Sequence, residues 1–460
     1  MFRAGRARWG AVQRNNWLQR RDNMLQNKNT RAGLAGRVMA GLLVMLVGLG
    51  LSLGAAQAKE IKLGIVTFLS GAAAGPFGIP ARNGAEMIID AINSGKMPAP
   101  YASSGMAGMT IVPVIIDEAG GTTKQVAEFR NLVQRQNVDA VVGYISSGSC
   151  LGIAPAAEEL KKITVLFDCG TPRIFEDADY KYVFRTISHA TMDNVAAVRY
   201  LKAKFPNVKA YGAINQNYAW GQDSWRDFNA TMQLLYKGSK VTSEQFPKIF
   251  AGQYNSEISA LLVSKSDVIH SSLWGGDLES FLFQAGARGL HKRAKLVLTT
   301  GESSMFRMGA KMPDGVIIGG RGPYGVLAKD TPLNQWFRNE YTNRYGTPPG
   351  YPAYQMAQAI LGLKVAYDKA AQGGSTSDDA VIKAFEYSKF EAFGTTVDMK
   401  LGKGHQAVTG TAYGIYKFDR SKGEATISDV LHFNADCVNP PEGVKSIDWI
   451  NSGLKGAKCD

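Results

Sequence analysis

Apolar strand-like runs alternate with amphipathic stretches twice along this chain, and that alternation leaves few folds open. The first series is "IKLGIVTFLS" from Ile61, "MTIVPVIIDEAG" from Met109, "VDAVVGYI" from Val138 and "ITVLFDCG" from Ile163. The second is "KAYGAINQ" from Lys209, "KVTSEQF" from Lys240, "SDVIHSSLWGG" from Ser266 and "AKLVLTTGE" from Ala294. After the first strand, both series recur at spacings close to 30 residues, the length of a strand–helix–strand unit. Continuous Val, Ile and Leu runs imply strands covered on both faces. The pattern predicts an α/β fold of two doubly wound lobes.

The stretches between the runs fit helices. In "GAEMIIDAIN", Met87, Ile88, Ala91 and Ile92 recur at helical spacing, and Gly289 is placed to terminate "DLESFLFQAGARGL". Residues 332–373 read as mainly helical, and two short strands, "TAYGIYKFD" and "ATISDVLHF", come late.

The chain of 460 residues has room for two or three domains, but its start reads as a targeting segment. Residues 1–37 hold nine Lys or Arg and one acid, Asp22, and an uncharged apolar run then extends from Val38 to Ala58. Ala56-Gln57-Ala58 has the small residues of a cleavage site, so the expectation is a secretory signal cut before Lys59. An N-terminal membrane anchor is the alternative, because the run is nearly long enough to span. Without those nine bases and one acid the formal net charge falls from +13 to +5. The basic excess is therefore mostly a property of the leader, and it does not support nucleic-acid binding, which needs basic residues concentrated on one face.

Four cysteines, Cys150, Cys169, Cys437 and Cys459, suit disulfides in an exported chain. Three pairings are possible, and the sequential one, Cys150 with Cys169 and Cys437 with Cys459, closes the shortest loops. There is no C-x-x-C, and the five histidines are scattered, so neither a metal site nor a cofactor is expected.

Ligands of open α/β sheets bind beyond the carboxyl ends of the strands. One such end reads "GYISSGSCLG", small residues and hydroxyls where a strand gives way to a helix, an arrangement that suits an anion. The other tips of the first series carry Ser70-Gly71, Asp117-Glu118 and Cys169-Gly170-Thr171; those of the second carry Asn217-Tyr218-Ala219-Trp220, Trp274 and Thr300-Gly301-Glu302. Small donors would face large aromatics across a gap.

The ordered set "IKLGIVTFLSG", "NGAEMIIDAIN", "DEAGGTTKQVAEFRNLV", "AVVGYISSGSC", "NQNYAWGQD" and "QAGARGL" resembles the type I periplasmic binding proteins of the leucine/isoleucine/valine-binding family, the receptors of ABC importers. The resemblance runs from Ile61 to about Phe433. It implies two lobes joined by three crossovers: residues 59–186 and 325–398 in one, 187–324 and 399–460 with the C-terminal tail in the other. It also implies ligand positions at Phe77, Ser146, Ser147, Cys169, Gly170, Thr171, Trp220, Trp274 and Glu302. Ser147 would receive a carboxylate and Glu302 an ammonium. Trp220 and Trp274 stand where the family has tyrosines, a departure that puts a leucine-like ligand in doubt, and Gly120 stands at the family's usual first disulfide cysteine.

Plainer readings compete at each position. Ser146 and Ser147 could simply cap a helix, Trp220 and Trp274 could be core aromatics, and Glu302 a solvated loop acid. Cys169 reads as structural, since a reactive thiol needs an electropositive partner. The expected function is a monomeric periplasmic receptor that delivers a small carboxylate-bearing solute to an inner-membrane ABC permease, with a receptor for a chemoreceptor or sensor kinase as the alternative. An enzyme is not expected: no P-loop occurs, and the only G-x-S-x-G, Gly50 to Gly54, lies in the leader.

Overall fold

The computed structural model describes residues 59–459; the expected signal segment lies outside them. The chain opens with β1 (Glu60–Thr67), α1 (Ile79–Asn93), β2 (Thr110–Asp117), α2 (Gly121–Gln134), β3 (Ala140–Gly143), α3 (Ser147–Glu159), β4 (Thr164–Leu166) and β5 (Val183–Arg185). All the pairings among these strands are parallel, so their carboxyl ends share one edge. Ile61, Leu63, Ile65 and Val66 of β1 are all buried, as a strand with helices on both faces requires.

A second sheet follows, built on β6 (Ala210–Ile214), β7 (Lys240–Gln245), β8 (Val268–Ser271), β9 (Lys295–Leu298) and β10 (Ile317–Gly319). The chain then returns through helices Pro332–Tyr345 and Tyr351–Gln372 to β11 (Lys389–Glu391), β12 (Thr396–Leu401) and β13 (Gln406–Val408), and ends on the hairpin β14 (Thr411–Asp419) and β15 (Glu424–Phe433). The strand orders are β11-β12-β13-β5-β4-β3-β1-β2 and β15-β14-β10-β9-β8-β6-β7. Both sheets are mainly parallel with an antiparallel margin at one end. The two lobes expected from the sequence are therefore present.

The chain crosses between sheets three times: after β5, after β10, and between Val408 and Thr411. The last crossing comes later than the expected boundary at 398, because β12 and β13 continue the first sheet rather than open the second. The crossovers are stitched together at one level. The Gln406 amide donates to Ile187 O, Thr409 N donates to Ser188 Oγ, and Gln358 Nε2 donates to Thr186 O. Against the first sheet, helix Tyr351–Gln372 packs so closely on α1 that a Cβ at Gly84 would fall 2.5 Å from Ala353 O. Both disulfides join the sequential partners, Cys150–Cys169 and Cys437–Cys459. Among the described residues no helix is long and apolar enough to cross a membrane.

Candidate functional site

The strand tips of the two lobes meet in a cleft lined by Phe77, Ile145, Ser147, Asp168, Gly170 and Tyr351 from one side and Tyr218, Trp220, Trp274, Thr300 and Arg321 from the other. Of the nine expected ligand positions, Phe77, Ser147, Gly170, Trp220 and Trp274 come together here. The two indoles are fixed by their own N–H groups: Trp220 Nε1 donates to Ser272 O at 2.8 Å, and Trp274 Nε1 to Tyr218 Oη at 2.7 Å. The Phe77 ring stands edge-on to Trp274, with centroids 5.2 Å apart, a favoured aromatic geometry.

The first lobe builds its side from two tied loops. Ser147 Oγ accepts from Gly170 N and Thr171 N at 3.2 and 3.1 Å, and the Cys150–Cys169 bridge joins the same two loops. Beneath them the buried Glu118 carboxyl accepts from Ile145 N and Ser146 N. Burial pushes Glu118 up to about 8.

Four expected positions do not line this cleft. Cys169 is turned into the core by its disulfide. Thr171 Oγ1 donates to Asp223 Oδ2 at 2.6 Å, so its hydroxyl is engaged with a helix of the other lobe. Glu302 is fully buried and accepts from Tyr351 N at 2.7 Å. It therefore serves the amide at the start of a helix rather than an ammonium in the cleft, and burial pushes its carboxyl up to about 8. Ser146 faces a neighbouring cavity instead, since consecutive residues at a helix start point in different directions.

Sequence reasoning missed Arg321, which dominates the cleft. Its guanidinium lies 4.5 Å from the Trp220 ring centroid. It pairs with the Asp168 carboxylate, donates to the Asp168 carbonyl, and reaches Asp193 Oδ2 at 3.2 Å. Arg321 is 3 % exposed and holds a left-handed backbone at φ +49, a conformation uncommon outside glycine. Burial opposes its charge, but the two carboxylates outweigh burial and raise its pKa. Burial in turn pushes Asp168 up to about 6 and Asp193 to about 7, with the guanidinium pulling both down. Gly170 makes room for this arrangement: a Cβ there would meet Trp220 at 2.2 Å and Arg321 Nη2 at 2.6 Å. The signal in the sequence is a charge inside "VIIGGRGPYG", directly after β10.

Among the described residues no group of histidine, cysteine and acidic side chains is arranged to hold a metal.

Residues 60–423 match the family model described as periplasmic binding protein. Several solved structures share the fold. A solute-binding protein of an ABC transporter from Rhodopseudomonas palustris BisB5, in complex with 3,4-dihydroxybenzoic acid, is 19% identical, with a TM-score of 0.69 over 82% of this chain and 98% of its own. An amino acid ABC transporter substrate-binding protein from Pseudomonas fluorescens Pf-5 is 19% identical, with a TM-score of 0.69 over 81% and 96%. A leucine-binding protein from Thermotoga maritima is 16% identical, with a TM-score of 0.65 over 81% and 98%. No curated protein matches the sequence significantly.

Proposed function

Since the chain belongs to the periplasmic binding protein family, we propose that it captures a small carboxylate-bearing solute between its lobes and delivers it to an inner-membrane ABC permease. The solute is an amino acid or a hydrophobic or aromatic organic acid, and no chemistry is done on it. The observation that carries this reading is the meeting of Ser147, Gly170 and Phe77 with Trp220, Trp274 and Thr300 at facing strand tips. Such a site is whole only when the lobes are shut, so a solute touching both lobes shifts the population toward the closed state. The bound dihydroxybenzoic acid of the Rhodopseudomonas palustris relative favours the aromatic-acid branch, and so do tryptophans where the resemblance expects tyrosines.

The test is a thermal-shift screen of the purified protein against amino acids, aromatic carboxylates and betaines, followed by calorimetry on any hit. A stoichiometric ligand that raises Tm and is recovered unchanged supports the reading, since a ligand specific for the native state stabilises it by mass action. Turnover of the ligand, or no hit among carboxylates, would overturn it.

A further inference from the structure

A cavity of about 250 Å³ lies beside the crossovers and shares no lining residue with the strand-tip cleft. One wall belongs to the first lobe, with Phe175, Glu176, Arg185 and Lys403; the other is the segment 440–445. The helix after that segment, Ser446–Asn451, sends Trp449 and Ile450 into the core of the second lobe with Phe228 and Met232. The cavity therefore spans the two lobes. We propose that it is a second binding site, which takes a small oxyanion of the phosphate or sulfate type on Arg185. The proposal does not depend on which solute the cleft captures.

Arg185, the last residue of β5, is fully buried, and arginine is almost never fully buried unless paired. Its hydrogen bonds all go to neutral oxygens. Nε donates to Gln406 Oε1, and Nη1 donates to the Cys169 and Thr171 carbonyls at 2.9 and 2.7 Å. Nη2 has no partner among the described residues. Burial, with the charge of Arg321 acting in the same direction, lowers Arg185 to about 9, so it is still a cation at neutral pH. A buried charge without a counter-charge is costly, and the guanidinium is shaped to bind oxyanions.

His189, on the first crossover, lines the same cavity at 1 % exposure, and neither of its ring nitrogens has a partner among the described residues. Burial first, and then the Arg185 charge, hold it well below the ordinary imidazole range, so the neutral ring offers one N–H. Lys403 and Lys445 also line the cavity, in exposed pairs with Asp179 and Asp177. Exposed pairs of this kind are weak, which leaves both ammonium groups able to turn to an anion. The acids of the walls are engaged: Glu176 accepts from Ser446 N and Oγ, Asp179 from Lys403 Nζ, and Glu442 from Lys403 N. Burial also raises the Glu176 carboxyl, which favours its neutral form. Two buried donors without partners and two mobile cations thus face one space, large enough for an oxyanion with some of its water.

Calorimetry on the purified protein tests this, with inorganic phosphate, sulfate and chloride at matched ionic strength. Melting temperature is a poor readout, because phosphate and sulfate stabilise folds generally by exclusion from the protein surface. The expected result is one saturable site for phosphate or sulfate, with chloride about tenfold weaker or more, since a single-atom ion cannot engage the guanidinium fork as an oxyanion does. Arg185→Gln should weaken the oxyanion about tenfold or more by removing its charged donor. Should that variant fold poorly, two further measurements decide. Lys403→Gln combined with Lys445→Gln, both at exposed positions, should weaken binding several-fold, and a crystal of the unaltered protein soaked in selenate should show its anomalous peak beside Arg185 Nη2. No saturable uptake by the unaltered protein, unchanged affinity in the variants, or selenium bound elsewhere would each overturn the proposal. The cavity shares no lining residue with the cleft, so its failure would leave the receptor reading as it stands.

Discussion

The cleft and the neighbouring cavity of about 480 Å³ share Tyr218 as a wall, and consecutive serines face them, Ser147 the cleft and Ser146 the cavity. Their chemistry is opposite. The cleft is closed by charge, with Arg321 joined to Asp168 and Asp193 and a second interlobe tie running from Thr171 and Arg173 to Asp223. The cavity is bounded by the rings of Phe68, Tyr218 and Phe250, and the Glu118 carboxyl holds the amides at the start of α3 beside it. The contrast separates polar ties that hold the lobes in register from an adjoining space walled mainly by rings and small residues.

The largest effect that could break this contrast is loss of the guanidinium. Arg321→Met would strand two buried carboxyls, and removing one partner of a buried pair costs about 3–5 kcal/mol. The loss should be larger at pH 8 than at pH 5, because Asp168 and Asp193, already pushed up to about 6 and 7 by burial, escape the penalty once protonated. Denaturant unfolding at the two pH values measures it, and equal loss at both would mean the pairing is not electrostatic.

Next in size is the pH dependence set by Glu302. Its carboxyl goes from 4.5 unfolded to about 8 folded through burial, so between those values the native state holds a proton that the unfolded chain releases. Stability is therefore highest below about 4.5, declines on the order of 1 kcal/mol per pH unit through the window, and levels off above 8. Glu302→Gln, which keeps an acceptor for Tyr351 N, should flatten that slope in thermal melts across pH; an unaltered slope would show that the carboxyl is ionised in the fold.

A smaller effect is expected at the bridge beside the cleft. Replacing Cys150 and Cys169 together by serine opens a loop spanning 19 residues, worth roughly 3 kcal/mol in the chain-entropy account, and loosens the tie between the Ser147 and Gly170 loops. Chemical denaturation of the double variant gives the number. The smallest is Gly170→Ala, whose methyl group would press on Trp220. Overpacking of this kind costs about 1–3 kcal/mol, read as a lowered Tm with altered indole fluorescence; a silent substitution would mean the Trp220 wall is free to move.

Much of the architecture was legible because buried parallel strands are written as unbroken Val, Ile and Leu. Most strands that escaped are short: β5, β10, β11 and β13 are three residues each, and only β12, at six, is longer. So brief a segment is held by its neighbours in the sheet rather than by its own composition. Within the site, position after a strand was enough to bring Ser147, Gly170, Trp220 and Trp274 together. It could not say which way neighbouring residues turn: Cys169 is drawn into the core by its bridge, and Thr171 gives its hydroxyl to Asp223. Glu302 read as a tip residue, yet its helix start is covered by the chain around Tyr351. Arg321 was beyond reach for a different reason. Its partners Asp168 and Asp193 lie far away in sequence, and nothing local to "GGRGPYG" announces a long-range ion pair.

The most direct measurement is a crystal structure of the protein with 4-hydroxybenzoate bound. The account predicts density at the facing strand tips, between Phe77, Ser147 and Gly170 of one lobe and Trp220 and Trp274 of the other. Density away from these strand tips, or none at saturating ligand, would contradict it.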